Sequence, residues 1–235
     1  MFRRRRSSEP QEPVGSDDAE VETDAVESAP EGAGRGETGP WDVSAAPDDD
    51  VARLDLGSLQ VPTLPDVEVR VEADQGGEVS AVLLVHGESG VQLGAFAAPR
   101  TEGIWPEVRA EIGEGITADG GTISEAEGEF GTELHARVPT PDGVQPVRFV
   151  GVNGPRWFLR AVFTGAAATD PDAETVLTES LRNVIVVRGG EPMPVRDPLP
   201  LRLPREIVEQ QADPAEPARK RVSAPKRGPE ITEVR

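Results

Sequence analysis

Val79-Ser80-Ala81-Val82-Leu83-Leu84-Val85-His86-Gly87-Glu88-Ser89-Gly90-Val91-Gln92-Leu93-Gly94-Ala95-Phe96-Ala97 is the stretch that decides the fold. Its first seven residues are apolar on both faces, as in a central strand covered on both sides. Gly87-Glu88-Ser89-Gly90 then turns the chain into a second run, Val91 to Ala97, so the two pair antiparallel. Upstream, Val67, Val69 and Val71 alternate with Glu68, Arg70 and Glu72, the period of a strand with one wet face. Asp74-Gln75-Gly76-Gly77 is the turn that feeds this strand into the central run.

From Ile104 the period changes. Ile104, Val108, Ile112 and Ile116 fall at helical spacing, with Pro106 tolerable only in the first turn and Asp119-Gly120-Gly121 ending the helix. Gly113 and Gly115 weaken it by about 1 kcal/mol each relative to Ala, so tertiary packing must hold it. The second half repeats the plan. A weak strand at Thr122 to Ala126 precedes Thr132, Leu134, Ala136 and Val138, which alternate with Glu133, His135 and Arg137. Thr140-Pro141-Asp142-Gly143 turns into Val147 to Val152, and Asn153-Gly154 is the hairpin signal before Arg156 to Thr164, where Trp157, Leu159, Ala161 and Phe163 share one face. Asp170-Pro171 opens a second helix with a capping residue and a first-position proline, and Leu177, Leu181, Val184 and Ile185 give its apolar stripe.

Strands joined by tight turns make a mostly antiparallel sheet, and two helical stripes must cover it on both faces, or on one face with the C-terminal segment across the other. The fold class is α+β, with about six to seven strands in the order βββα-ββββα. Residues 191–205 interleave five prolines with Met193, Val195, Leu199, Leu201 and Leu203. Prolines forbid a helix and the apolar residues need cover, so this segment is expected as an extended strap on the domain.

The whole chain of 235 residues carries 43 acidic against 24 basic side chains, a net charge of -19. Residues 1–50 are read as a disordered acidic segment behind an Arg3, Arg4, Arg5, Arg6 start, since residues 7–50 hold fourteen acids against one base, Arg35, with few apolar residues. The single domain spans 51–205. A short helix at Glu206 to Ala212 and a disordered tail, 213–235, close the chain. There is no cysteine, which excludes disulfides, thiolate metal sites and cysteine nucleophiles and fits a reducing compartment. No apolar run reaches the length of a membrane span, and no signal-type apolar region follows Arg6, so a cytoplasmic protein is expected.

The segments Arg53 to Pro62, Val85 to Arg100, Arg148 to Trp157 and Met193-Pro-Val-Arg196 resemble an actinobacterial family described only as domain of unknown function 3710, over about residues 51–205. The resemblance implies no activity and no catalytic residue. In the order of strands and helices alone, the chain is similar to the Mog1/PsbP-like α-β sandwiches, which implies partner binding and not catalysis.

Catalytic motifs are incomplete. Gly87-Glu88-Ser89-Gly90 begins like a nucleophile elbow, but Val91 stands where the second glycine belongs, so Ser89 reads as a turn serine. His135, on the polar side of its strand, reads as solvated or paired across strands, and two distant histidines give no metal spacing. Glu125, Glu127 and Glu129 share a face that could hold a hard cation, although a solvated face is the ordinary meaning of such a run. No cofactor and no metal ligand are expected.

Specific nucleic-acid binding is disfavoured by 23 acids against 13 bases in residues 51–205. Three functional classes remain. The first is a binding or scaffold domain with an unknown protein partner. The second is an adaptor at the membrane's cytoplasmic face, through weak contact of Arg3 to Arg6 or the Arg219 to Arg227 cluster with an anionic surface. The third is an enzyme built around His86, Glu88 and Arg100. The expected interaction surface is a rim made by His86, Glu88 and Ser89 on the turn and by Arg100, Glu102 and Trp105 before the helix, where free backbone N–H groups favour an anion. The alternative there is that Trp105 packs under the helix. Trp41, an aromatic among acids, is the candidate for a short partner-binding motif.

Overall fold

The doubly apolar run Val79–Val85 lies second from the edge of a seven-stranded antiparallel sheet, not at its centre. A computed structural model describes residues 38–73 and 79–203. In chain order they form β1 (Trp41–Asp42), β2 (Arg53–Asp55), β3 (Leu59–Pro62), β4 (Glu68–Ala73), β5 (Val79–His86), β6 (Ser89–Ala97), α1 (Trp105–Ala118), β7 (Thr122–Gly128), β8 (Gly131–Thr140), β9 (Gly143–Gly154), β10 (Trp157–Thr164), α2 (Pro171–Arg182) and β11 (Ile185–Val186). The large sheet runs β4-β5-β6-β10-β9-β8-β7. This is the βββα-ββββα order expected from the alternation, and the fold is α+β.

A second, four-stranded sheet, β1-β11-β3-β2, has no counterpart among the sequence-based expectations. It stacks with α2 on one face of the large sheet. There Leu56, Leu59 and Val61 meet Leu84, Leu93, Leu159, Phe163, Leu177 and Leu181 in the main core. The opposite face carries a smaller core, in which Ile104 and Trp105 of the α1 entry pack with Phe158 and Phe96, followed by Val108, Ile112 and Phe149. Helices therefore cover both faces, but unequally. Helix α1 lies over β7, β8 and β9 and stops short of β5 and β4.

The ordered region starts earlier than residue 51. Trp41–Asp42 pairs in parallel with Ile185–Val186, and the Trp41 N–H donates to Val184 O at 2.9 Å. The Asp42 carboxylate accepts the Trp157 indole N–H at 2.8 Å, which ties this strand to the large sheet. The expected boundary at residue 50 is corrected accordingly. Arg3, Arg4, Arg5, Arg6, the proposed helix at Glu206 to Ala212 and the tail beyond it lie outside the described residues.

The strap is present and extended. Its backbone continues the ladder of β6 where β5 has diverged: Arg196 N donates to Ala97 O, Ala97 N to Asp197 O and Leu199 N to Ala95 O, at 2.7 to 2.8 Å. Arg202 N then donates to Leu56 O, so the strap joins the large sheet to the small one. Leu199 is 3% exposed, while Leu201 and Leu203 are half-buried. The Arg196 guanidinium adds ion pairs to Glu107 and Glu111 of α1 at 2.9 and 2.8 Å.

The Asn153-Gly154 turn expected from sequence sits two residues further on. Gly154 pairs with Trp157, which leaves Pro155-Arg156 as the loop, with Arg156 at φ 62°.

Candidate functional site

The expected rim does not form, because its two halves lie at opposite ends of β6. Nine residues of strand separate them by roughly 27 Å at about 3.3 Å per residue. At one end His86 pairs with Ser89 across the Gly87-Glu88 turn, where Gly87 at φ 58° supplies the left-handed first position of a two-residue hairpin. Ser89 is buried and its Oγ accepts the Ala167 N–H at 3.0 Å, so it docks the helical turn Gly165–Ala168 and is not a surface residue. Glu88 is exposed and His86 half-exposed.

At the other end Arg100 and Glu102 are exposed, but Trp105 is buried. Its indole N–H donates to Thr132 O at 2.7 Å, and its ring stacks on Phe158 with centroids 5.9 Å apart. The ring rests on Gly151, where a Cβ would come within 2.1 Å of it. The helix start expected to favour an anion is already capped. Asn153 Oδ1 accepts the Ile104 and Trp105 N–H groups at 3.0 and 3.3 Å, so Trp105 and this N-terminus belong to the fold. Trp41 is half-buried in β1, and its reading as a free partner-binding motif is likewise corrected. The acidic trio is divided among separate partners: Glu125 bonds Arg109, Glu127 bonds Thr132 and Glu129 pairs with Arg182.

Two arginines in the large sheet carry the informative electrostatics. Arg148 on β9 lies on the α2 face, 3.0 Å from Glu133 of β8 and in an ion pair with Glu174 of α2, with its guanidinium 4.1 Å above the Phe163 ring. Glu133 is 3% exposed, and burial pushes its carboxyl above the usual range against the opposing pull of Arg148 and His135. His135 Nε2 stands 3.7 Å from the same carboxylate. The polar side of β8 is thus a buried charge cluster that fixes the first turn of α2 to the sheet, which alternation alone does not reveal. Beside it, Thr122, Ser124, His135, Arg137, Pro146 and Thr169 line an open cleft of about 370 Å³.

Arg160 on β10 shares with Arg148 a buried Nε that has no acceptor, but unlike Arg148 it has no carboxylate beside it. It points to the α1 face, directly across from Gly94 of β6 and Gly151 of β9, and its guanidinium lies 5.3 Å from the Phe96 ring centroid. Its Nε is buried without an acceptor, and burial alone, with no carboxylate to counter it, pulls the guanidinium below its ordinary value. Around it the face is open, because α1 ends its cover at β9 and β10. Leu83 and Val85 of β5, Phe96 of β6 and Val162 of β10 are half-buried side chains on this surface. The charges along β4 are already engaged: Arg70 pairs with Glu68 at 2.8 Å, and Glu72 accepts from Gln92 at 2.9 Å. Sequence shows the alternation that aims Arg160 and Val162 away from the main core; it does not show where helical cover stops.

Among the described residues, no three His, Cys, Asp or Glu side chains gather to hold a metal ion, and no helix is long and apolar enough to cross a membrane.

Two stacked sheets, a helix on each side and one half-open sheet face define an α+β sandwich. A family model described as "Protein of unknown function (DUF3710)" matches residues 39–210, and the chain belongs to that family. The match begins just ahead of β1 and runs past the strap, so it takes in the small sheet as well as the large one. No curated protein matches.

Proposed function

We propose that this chain is a non-catalytic binding domain for another protein, acting in the cytoplasm, and that it docks its partner on the open face of β4, β5, β6 and β10 beside α1. The observation that carries the reading is the company Arg160 keeps: a half-buried cation without an acceptor, set among Leu83, Val85, Phe96 and Val162. Apolar side chains around one cation are the composition of an interface centre, where aromatic residues and arginine are enriched. The cysteine-free sequence suits a reducing compartment.

The test is site-specific photo-crosslinking in the native host, with the crosslinker at Leu83 or, as control, at Val144, which is 61% exposed on the distant β8–β9 hairpin. A protein captured from Leu83, absent from Val144 and lost on adding Leu83→Glu at a neighbouring crosslinker position, Val85, supports the reading. The same captured set from both positions refutes it.

A further inference from the structure

We infer that the partner presents a carboxylate flanked by large apolar side chains, and that this carboxylate seats on Arg160. The inference rests on the open sheet face being the docking surface and names what that face selects. A partly dehydrated guanidinium with no opposing charge costs free energy in the unbound protein, and an anion at its terminal nitrogens offsets part of that cost through charge, while Nε stays without an acceptor. Nε is covered and has no acceptor, whereas neither terminal nitrogen is fully covered in this way, which leaves the end of the fork as the approach for an anion. That presents two parallel N–H donors, the geometry a carboxylate accepts in a bidentate pair.

The surroundings fix the position of the fork. Phe96 folds over Gly94, whose Cβ would meet the ring at 3.1 Å, and Trp105 occupies the space above Gly151 on the other flank. Arg160 therefore lies beside the Phe96 ring, with a glycine opposite it on each neighbouring strand. Among the described residues, the other charged groups on this surface have charged or polar partners, although Arg109 keeps one buried terminal nitrogen without an acceptor. Glu68 and Arg70 pair with each other, Glu72 with Gln92, and Arg109 of α1 with Glu125.

Charge separates a carboxylate from polyanionic ligands. Residues 51–205 hold 23 acids against 13 bases, a field that repels a phosphate backbone, whereas one carboxylate within an apolar segment meets a single cation at close range. Leu83, Val85 and Val162 then take up the flanking apolar side chains, which excludes water from the pair and strengthens it.

The experiment is selection of a random phage-displayed peptide library on the full chain, followed by affinity measurement of the enriched peptides on wild type, Arg160→Met, Arg160→Lys and Leu83→Glu. The expected peptides carry Asp, Glu or a free C-terminus beside Leu, Ile or Phe. Arg160→Met, which keeps the apolar stem, weakens them about thirtyfold. Arg160→Lys retains the charge without the planar fork and is intermediate, which keeps the test sound if the Met variant folds poorly. If Leu83→Glu abolishes binding while both Arg160 variants bind as wild type, or if the enriched peptides lack a carboxylate, the inference falls and the docking face stands. If no enriched peptide responds to Leu83→Glu, the docking face falls with it.

Discussion

Replacing Leu199 by Ala tests whether the strap is part of the fold. Leu199 is 3% exposed and belongs to the main core, and its N–H donates to Ala95 O at 2.8 Å, so the side chain is held where β6 has lost β5 as a neighbour. The substitution removes about three methylene equivalents at ~0.8 kcal/mol each and leaves a cavity that the flanking ladder prevents from collapsing. The expected loss is about 3 kcal/mol, within the range of ~2–5 kcal/mol typical of buried leucine. For a domain of this size that lowers Tm by about 6–12 °C, since ~1 kcal/mol corresponds to ~2–4 °C. Val195, on the same strap but 49% exposed, is the control, and Val195→Ala is expected to shift stability by less than about 0.5 kcal/mol. Urea titration and differential scanning calorimetry of the full chain read both variants. If Leu199→Ala and Val195→Ala melt together within about 2 °C of wild type, the strap contributes nothing to the core and its backbone ladder to Ala95 and Ala97 does not persist in solution.

Asn153→Ala removes the acceptor that caps Ile104 N and Trp105 N, and is expected to cost about 1–2 kcal/mol by urea titration; Asn153→Asp, placing a negative charge at the same helix start, is expected to retain or raise stability. Equal stability of wild type and Asn153→Ala would show that the N-terminus of α1 is capped some other way. The Asp42 carboxyl is held below its usual range: burial works to raise it, but hydrogen bonds from Ser44 and Trp157 and the nearby Arg156 outweigh that. A depressed folded value stabilises above the unfolded pKa and is lost as pH falls through the folded one, so the advantage of wild type over Asp42→Asn, about 1 kcal/mol at neutral pH, should vanish in acid below the ordinary carboxylate range. Glu133 has the opposite sign. Its raised folded value means that wild type loses stability as pH rises from the unfolded value near 4.5 through the folded one, and Glu133→Gln should flatten that slope in a Tm-against-pH series.

The strands of the large sheet were legible because most follow a two-residue period, Val79 to Val85 stands out as a continuous apolar run, and glycine, aspartate or proline turns punctuate them. The four short strands of the small sheet were not. β1 and β11 are two residues each, too short for any period, and they pair in parallel from the two ends of the domain, which no local pattern encodes. The misplaced hairpin has a specific cause. Asn153-Gly154 carries the strongest local turn signal, yet the Asn153 side chain is engaged on α1, and the left-handed position falls to Arg156. That conformation costs about 1–2 kcal/mol for a residue with a Cβ. It is offset by contacts remote in sequence, since Arg156 O accepts from Ala98 N and from Arg188 Nε, and the Arg156 guanidinium donates to Gly189 O.

Two arginines show why the fold was easier to read than the site. Arg148 in Val147-Arg148-Phe149 and Arg160 in Leu159-Arg160-Ala161 look alike in sequence, each a lone cation inside an apolar strand. Register separates them. Arg148 pairs opposite His135, which sets it next to Glu133, and the docking of α2 delivers Glu174 to its other side. Arg160 pairs opposite Gly94 and Gly151, two residues without side chains, and no helix carboxylate is brought beside it. One cation is thereby neutralised within the fold and holds a helix to a sheet, while the other is left with an aromatic neighbour and no carboxylate. The cation itself is visible in the sequence; whether it serves the fold or a partner depends on what stands opposite it, which is a property of strand register and helix length together.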